Sequence, residues 1–180
     1  VHVYADNGIY IVTMTAKDDD GGMDADHLTV TVDNVAPVVD AGADQSADEG
    51  SEILFTGLYT DAGSADTHAI EWSFGDGVTS TAGLSPTHIY ADDGVYTVTL
   101  TVHDDDGAVS TDELIVTLHN ARPTADSNGP YSVSEGSSIT LTATASDAAG
   151  ASDPLTYAWD LDNDSAFETL GQSVLFDAGA

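Results

Sequence analysis

The sequence of 180 residues contains no cysteine, and its only basic side chains are Lys17 and Arg122. The absence of cysteine excludes disulfide bonds, zinc–thiolate sites and cysteine nucleophiles. The scarcity of Lys and Arg argues against a nucleic-acid-binding protein, because phosphate recognition needs clustered basic side chains. It also argues against docking on an anionic membrane surface. No apolar run approaches the length of about 18 residues that a membrane span requires, so direct membrane insertion is not expected.

Acidic side chains are abundant. The 32 Asp and Glu residues include 26 Asp, and the formal net charge is −30. The hydrophobic fraction of 41% is sufficient for a folded core, which excludes a disordered acidic tail. Charge of one sign at this density must be screened by salt or neutralised by bound cations. Two explanations stay open, namely specific cation sites and a halophilic habitat in which hydrated cations solvate the surface.

The sequence repeats itself with an offset of 86 residues. Residues 2–40 and 88–126 share 20 identities in 39 positions. The offset becomes 87 between Trp72 and Trp159, so one residue is inserted between them. The repeat predicts three modules, of which only the second is complete. These are the C-terminal part of a first module (1–33), a complete module (34–119) and the N-terminal part of a third (120–180). A chain of this kind is expected to be a segment of a longer protein.

Apolar residues alternate with polar ones along several segments. Tyr96, Val98, Leu100 and Val102 alternate with polar or β-branched neighbours, which is the period of a half-buried strand. No segment has a convincing helical period. About seven short strands per module predict an all-β fold of tandem β-sandwiches. Trp72 and Tyr96 are expected to be buried together, and Trp159 is expected in the core of the third module.

Four motifs of the second module resemble the PKD (polycystic kidney disease) repeat. They are Trp-Ser-Phe-Gly-Asp-Gly at 72–77, Pro-Thr-His-Ile-Tyr at 86–90, the strand at 94–102 and Asp-Asp-Asp-Gly at 104–107. The resemblance implies an immunoglobulin-like sandwich of the kind found in tandem on bacterial and archaeal surface proteins and beside secreted proteases and chitinases. It also implies a non-catalytic module, and some bacterial members bind calcium. The third module departs from the first motif, with Trp-Asp-Leu-Asp-Asn-Asp at 159–164.

Sandwich topology brings the start of the first strand and two loops to one pole of each module. In the second module these segments carry Asn34, Asp61, Asp66 and Asp104. Asp104 continues the inward positions of its strand, and a carboxylate at the rim of a core is costly unless it is paired or metal-bound. Ca²⁺ binds six to eight oxygen ligands, so the cluster predicts a calcium site. The resemblance implies the same positions.

The repeat extends this prediction to the neighbouring modules. The third module supplies Asn120, Asp147 and Asp153, and the first supplies Asp18. The alternative is that these aspartates are solvated turn residues, since Asp-rich segments ending in Gly form good turns. Asp105 in particular is expected to be a turn residue.

A second candidate calcium site lies in the third module. Asp160, Asp162, Asp164 and Glu168 occupy positions one, three, five and nine of one loop, from which they can wrap a cation. The loop is not an EF-hand, because position six is not Gly, position twelve is not Glu and no helices flank it. Six scattered histidines do not predict a zinc site, and His88 is expected to make a structural hydrogen bond.

The function predicted from these features is non-catalytic. Acids are so frequent that pairs of carboxylates carry no information about catalysis, and no Ser or His nucleophile signature is present. We expect a structural repeat of a large extracellular or cell-surface protein that acts as a calcium-stiffened spacer, adhesion stalk or filament building block. The alternative is a polymer- or substrate-binding accessory module of a secreted hydrolase. That alternative requires a row of exposed aromatic side chains on one sheet.

The expected partners are neighbouring PKD-like modules of the same chain or of adjacent copies, with cell-surface or matrix polymers as further candidates. The third module lacks its last two strands within this sequence, which leaves Ile139, Leu141, Tyr157 and Trp159 partly uncovered. Residues 1–33 of an adjacent copy, or sequence outside residues 1–180, could supply those strands.

Overall fold

The computed structural model describes residues 1–179 as an all-β protein with 17 strands and no helix in that range. No element of these residues has the length and apolar character of a membrane-crossing helix. The strands are β1 (Gly8–Lys17), β2 (Met23–Val32), β3 (Val38–Asp40), β4 (Gln45–Asp48), β5 (Glu52–Leu54), β6 (Leu58–Thr60), β7 (His68–Ser73), β8 (Thr79–Ser80), β9 (Thr87–Ile89), β10 (Gly94–Asp104), β11 (Val109–His119), β12 (Thr124–Asp126), β13 (Ser138–Thr142), β14 (Thr144–Ser146), β15 (Ala158–Trp159), β16 (Thr169–Leu170) and β17 (Ser173–Asp177).

The strands are distributed over two compact units. The first unit comprises Val1–Gln45, Leu54–His88 and Tyr96–Val116. The second unit comprises Ser46–Ile53, Ile89–Val95 and Thr117–Ala180, of which 117–179 is described.

The first unit begins with the hairpin β1–β2. Its register pairs Gly8 with Val32 and Lys17 with Met23. A turn closes it, in which the Gly22 N–H donates to the Asp18 Oδ1 at 2.6 Å. The hairpin carries large apolar side chains that are exposed in this structure, among them Ile9, Ile11, Met14 and Leu28.

The core of the first unit lies between the strands that follow. The main sheet has the order β4-β11-β10-β7-β8, and β3–β6 and β5–β9 form two further antiparallel pairs. The ring centroid of Phe55 lies 5.5 Å from that of Trp72 and 5.2 Å from that of Phe74. The predicted alternation along β10 is confirmed, because its inward side chains are buried. The buried apolar residues of this unit are Ala41, Phe55, Trp72, Phe74, Val98, Leu100, Val102, Leu114 and Val116.

The predicted count of seven strands in residues 34–119 is wrong, since this segment contains the nine strands β3–β11. Residues between β5 and β6 belong to no strand, and the backbone N–H groups of Phe55 and Gly57 donate there to the carbonyls of Pro86 and Leu84. A Cβ at Gly57 would lie 2.5 Å from Leu100 Cδ2. Close packing on the core therefore replaces ladder pairing at this point.

The prediction that Trp72 and Tyr96 are buried together is correct for Trp72 and wrong for Tyr96. Trp72 is completely buried and its Nε1 donates to the Gly83 carbonyl at 3.1 Å. Tyr96 is only half-buried. The register of β10 on β7 runs from Thr99 to Asp104, so Tyr96 lies before the stretch that covers Trp72.

The turn at residues 74–78 explains the Gly-Asp-Gly motif of the second module. Gly75 has a φ of 84° and a Cβ there would lie 2.5 Å from the carbonyl oxygen of Thr97, so only glycine fits. The Asp76 Oδ2 lies 2.7 Å from the His88 Nε2, and the His88 ring stacks on Phe74 at a centroid distance of 4.2 Å. The expected structural hydrogen bond of His88 is confirmed.

The Asp76–His88 contact makes a pH-dependent contribution to stability. Burial by itself raises the pKa of Asp76, but the Val78 N–H and the His88 side chain outweigh burial and lower it below 3.8. A lowered carboxyl pKa stabilises the fold above the ordinary value, and that stability is lost as the pH falls through the folded-state pKa. We therefore expect Asp76→Asn to flatten the loss of stability below pH 3.8. Urea midpoints across an acidic pH series measure this, with the exposed turn variant Asp20→Asn as the control. An unchanged slope in Asp76→Asn contradicts it.

The second unit contains strands of the third predicted module. They pair as β12–β14, β13–β17 and β15–β16, the same pattern as β3–β6, β5–β9 and β7–β8. The Trp159 Nε1 donates to the Gly171 carbonyl at 2.8 Å, as its repeat mate Trp72 does to Gly83. The repeat is thus visible in the strand pairing as well as in the sequence.

Trp159 was predicted to lie in the core of the third module, but its side chain is only half-buried, so the prediction overestimates its burial. Ile139, Leu141 and Tyr157 are half-buried as well, which agrees with the expectation of a partly uncovered face. The reason is that residues 120–179 contain no strand in the role of β10, whose Leu100 is the cross-strand partner of Trp72.

Candidate metal centres

The four residues predicted for the first calcium site lie together in the first unit. Carboxylate oxygens of Asp61, Asp66 and Asp104 all lie within 4.8 Å of one another. The Asn34 Nδ2 donates to the Asp104 Oδ2 at 2.9 Å, which ties the segment after β2 to the end of β10. Asp104 is 5% exposed, so its predicted inward position is confirmed. We call Asn34, Asp61, Asp66 and Asp104 the first acidic cluster.

Local hydrogen bonds hold Asp61 and Asp104 in place. The Asp61 Oδ2 lies 2.8 Å from the His68 Nε2, and its Oδ1 accepts from the Gly63 N–H at 3.1 Å. These contacts lower the pKa of Asp61, and the hydrogen bond with His68 makes the largest contribution. The Asp104 Oδ1 accepts from the Asp106 N–H at 2.7 Å. The contacts with His68 and Gly63 therefore favour the ionised form of Asp61 and fix the position of its carboxylate.

The pKa of Asp66 is shifted in the opposite direction to that of Asp61. Burial raises its pKa, and the charges of Asp104, Asp6 and Asp61 raise it further. Its Oδ1 is buried without a hydrogen-bond partner. A carboxylate oxygen in this position among like charges is unfavourable unless a cation neutralises it. The oxygens of Asp61, Asp66 and Asp104 lie within 4.8 Å of one another, so one cation with ligand distances of about 2.3–2.6 Å can contact all three.

Sequence reasoning missed two acids that adjoin the first acidic cluster. Oxygens of Asp6 and Asp106 lie within 4.8 Å of each other and of an Asp66 oxygen. The Ala65 N–H donates to the Ala5 carbonyl at 3.1 Å, which holds the Asp6 segment against this loop. The repeat carried a usable signal, because Asp6 and Asp92 are the same position of a Tyr-Ala-Asp-x-Gly motif.

A second acidic cluster lies in the second unit and contains the predicted residues of the third module. The Asn120 Nδ2 donates to the Asp153 Oδ2 at 3.0 Å, as Asn34 does to Asp104. Oxygens of Asp147 and Asp153 lie within 4.8 Å of each other and of an oxygen of Glu49. Burial first, and then the charges of Asp147 and two further aspartates, raise the pKa of Asp153. We call Asn120, Asp147, Asp153 and Glu49 the second acidic cluster.

Glu49 and its neighbours Asp92 and Asp93 were not predicted. Oxygens of these three residues also lie within 4.8 Å of one another. The repeat relates Asp92 to Asp6 and Asp153 to Asp66. The pair Asp6 and Asp66 of the first site therefore corresponds to the pair Asp92 and Asp153 of the second. No sequence signal distinguished Glu49 from other acids in turns.

The loop at 160–168 has a different geometry. Asp160 accepts from the Asn163 N–H at 2.7 Å and from the Ser165 N–H at 3.0 Å. Asn163 and Ser165 have left-handed φ values of 64° and 74°. Although burial raises the pKa of Asp160, the backbone donors of the loop lower it. Asp162, Asp164 and Glu168 are exposed, and their role as ligands stays a prediction.

Two further aspartates close turns. Asp105 lies in the turn after β10, as predicted, and it accepts from the Thr67 N–H at 3.0 Å and from the Thr67 Oγ1 at 2.9 Å. These bonds lower the pKa of Asp105. Asp18 closes the β1–β2 hairpin turn and stays a predicted ligand only.

The aromatic side chains were the discriminating feature for a polymer-binding surface. Among Tyr, Phe and Trp of residues 1–179, only Tyr131 and Phe167 are exposed. The Tyr131 hydroxyl donates to the Thr142 carbonyl at 3.1 Å. A row of exposed aromatics on one sheet is not present in this part of the chain.

Comparison with known proteins identifies the central segment. Residues 34–118 match the family model of the PKD domain, and this segment is a PKD domain. The chain is 30% identical to collagenase ColA of Clostridium perfringens over 122 residues, which are 68% of this chain and 11% of that protein. It is 46% identical to collagenase ColA of Bacillus cereus over 56 residues, which are 31% of this chain and 6% of that protein. The chain therefore spans only a small part of the collagenases that it matches.

Solved structures of similar sequence are PKD domains as well. The PKD1 domain of Vibrio anguillarum Epp is 29% identical, and the match covers 48% of this chain and 96% of that one with a TM-score of 0.40. The PKD1 domain of the Vibrio cholerae metalloprotease PrtV is 30% identical, with coverages of 47% and 98% and a TM-score of 0.37. The predicted family resemblance is confirmed for the central segment, whereas the tandem arrangement stays a prediction.

Proposed function

We propose that this chain is a non-catalytic spacer segment of an extracellular bacterial or archaeal protein, in which Ca²⁺ at the module junctions stiffens a tandem array. The observation that carries the proposal is that the linker asparagine at both predicted junctions contacts an aspartate of an acidic cluster, although the two aspartates are not repeat mates. An asparagine after the preceding strand donates to an aspartate of the next module, at 2.9 Å for Asn34 and Asp104 and at 3.0 Å for Asn120 and Asp153. A cation at each such place ties a linker to two loops.

Calcium fits these places better than other cations. The proposed ligands offer carboxylate and amide oxygens, which suit a hard cation with six to eight ligands. An amide that donates its N–H to a carboxylate can turn its oxygen to an ion, since its two ends differ only by a rotation. Mg²⁺ demands stricter octahedral geometry, and zinc prefers nitrogen and sulfur ligands. Asp18 and the Asp160 loop stay predicted ligands and are not needed for this proposal.

The relatives support an accessory role beside an enzyme. Several of them are collagenases by name, and this chain corresponds to 6–11% of their length. We infer that the parent protein acts outside the cell, and that the partners of this segment are neighbouring PKD-like modules. Binding of a matrix polymer is the second candidate function, and the collagenase names are the observation that favours it. A pull-down of residues 1–180 with insoluble collagen fibrils, with and without CaCl₂, tests it.

Solution scattering tests the spacer function. When millimolar CaCl₂ replaces chelator, we expect the scattering to indicate a narrower distribution of radii of gyration. We also expect the linker at 119–123 to become more resistant to limited proteolysis. Extracellular sites bind calcium at about 10⁻⁴ to 10⁻³ M, so this concentration is sufficient. The ionic strength is matched with NaCl in both samples. Equal scattering and proteolysis with calcium and with chelator contradict the proposal, and an equally large response to NaCl favours the halophilic explanation.

Adjacent copies are the further partner in this proposal. Residues 1–33 contain the hairpin β1–β2 and repeat the sequence of β10–β11, the hairpin that covers Trp72. Met14 and Leu28 are the repeat mates of the buried Leu100 and Leu114, and both are exposed here. We expect a peptide of residues 1–33 to cover the half-buried Trp159 of another copy. In a Trp72→Phe background Trp159 is the sole tryptophan, and its emission maximum should shift to shorter wavelength as the peptide is added. No shift at peptide concentrations up to the millimolar range contradicts this expectation, and a peptide with Met14→Asp and Leu28→Asp is the control.

A further inference from the structure

Glu49 is a buried carboxylate with one unsatisfied oxygen. It lies in the turn between β4 and β5 and is 2% exposed. Its Oε1 accepts from the Ala121 N–H at 2.8 Å, and its own N–H donates to the His119 carbonyl at 3.0 Å. Its Oε2 is buried and has no hydrogen-bond partner. The turn therefore fixes the position of Glu49 while one of its oxygens stays uncompensated.

The neighbours of this carboxylate are other acids. An oxygen of Glu49 lies within 4.8 Å of oxygens of Asp147 and Asp153, and also of oxygens of Asp92 and Asp93. His68 pairs with Asp61 and His88 with Asp76, so these two histidines are engaged by carboxylates other than Glu49, Asp147 and Asp153. A buried carboxylate among like charges costs several kcal/mol unless a cation compensates it.

Packing around Glu49 is tight enough to preorganise these oxygens. Gly50 has a φ of 72°, and a Cβ there would lie 3.1 Å from the Ala148 Cβ. The Gly50 N–H donates to the Tyr90 carbonyl at 3.0 Å. The Asp147 Oδ1 accepts from the Ala149 N–H at 2.9 Å, which orients that carboxylate in its own loop. Three chain segments are thus held together beside the unsatisfied oxygen.

We propose that Glu49 completes a second divalent cation site with Asp147 and Asp153, and that Ca²⁺ is its ligand. Asn120 contributes an amide oxygen, and Asp92 and Asp93 add negative charge beside the ion. Glu49 belongs to the PKD domain at 34–118, whereas the other ligands follow it in the chain. The ion therefore links the PKD domain to the segment after it through a side chain on each side. This inference rests on the proposed function for the identity of the cation and adds a ligand from the preceding domain.

The substitution Glu49→Gln tests the site in the full chain. Glutamine keeps an acceptor for the Ala121 N–H and removes one negative charge from the cluster. In chelator we expect its melting temperature to rise above that of the wild type, because repulsion with Asp147 and Asp153 is relieved. In CaCl₂ we expect the calcium-induced increase to be smaller than in the wild type. A role in packing alone would lower the melting temperature equally in both conditions, and that result overturns the proposal.

Calorimetric titration with CaCl₂ supplies the second measurement. Glu49→Gln should weaken one class of sites at least tenfold or remove it. Glu135→Gln is the matched control, since Glu135 is the repeat mate of Glu49 and is exposed. An unchanged titration in Glu49→Gln overturns the proposal.

A third variant separates this inference from the proposed function. Asp104→Asn alters the first acidic cluster alone. If Asp104→Asn removes a class of sites and Glu49→Gln removes none, the proposed function stands and the Glu49 site is wrong. If the wild type takes up no calcium, both are wrong.

Discussion

Asp104→Asn is expected to remove most of the rise in melting temperature that calcium produces in the first unit. Asp104 is buried, lies within 4.8 Å of Asp61 and Asp66 and holds Asn34, so its charge is central to the first acidic cluster. A ligand that binds only the folded state stabilises it by RT ln(1 + [L]/Kd), about 2.7 kcal/mol at 100 times Kd. Differential scanning calorimetry with CaCl₂ and with chelator at matched ionic strength measures this increment.

The control for this prediction is Asp105→Asn. Asp105 is adjacent in sequence, but its oxygens accept from Thr67, and its substitution should leave the calcium increment largely intact. In chelator, Asp104→Asn should melt at or above the wild-type temperature. The substitution removes one of the negative charges that repel the Asp66 carboxylate and raise its pKa. Equal calcium increments in wild type and Asp104→Asn would reduce the first acidic cluster to a set of solvated turns.

Trp72→Ala is expected to destabilise the PKD domain by about 3–5 kcal/mol, the range for truncation of large core side chains. Trp72 is fully buried, packs on Phe55 and has Leu100 as its cross-strand partner. Its Nε1 bond to Gly83 is lost as well, which leaves the partly buried Gly83 carbonyl without this donor. Urea unfolding followed by far-ultraviolet circular dichroism measures the loss.

The matched variant is Trp159→Ala at the equivalent repeat position. Trp159 makes the same type of hydrogen bond, to Gly171, but it is half-buried. Its truncation removes less apolar surface from a packed environment and should cost less than Trp72→Ala, within the roughly 0.5–3 kcal/mol of most substitutions. Equal losses at both positions would mean that the strand β10 contributes little to the burial of Trp72.

The 86-residue repeat and the two-residue alternation of apolar side chains were sufficient to predict most of the fold and part of the candidate site. The alternation of Val98, Leu100 and Val102 is a local property of the chain, and it correctly placed the inward side of β10. The first acidic cluster was predictable because sandwich topology sends particular loops to one pole, and Asn34 does meet Asp104 there. Motifs of the central segment were specific enough to identify the PKD domain.

Features that depend on close packing between distant segments were not predictable. The interruption at Gly57 follows from the space that Leu100 occupies, and the half-burial of Tyr96 follows from where β10 begins to pair with β7. Neither has a signal in the local pattern, because hydrophobic periodicity reports which side faces the core and not how deeply each side chain lies.

The sequence by itself determined the strand character, the repeat, the acidity and the candidate ligands within each module's own loops, since all of these follow from short-range patterns. Only the tertiary structure decided that Glu49 and Asp6 join these clusters. Their carboxylates come from turns whose neighbours in space are far away in sequence, and Glu49 is set apart from the other acids only by its burial and its unsatisfied oxygen. In a chain with 32 acidic residues, composition cannot distinguish a carboxylate that water solvates from one that requires a cation.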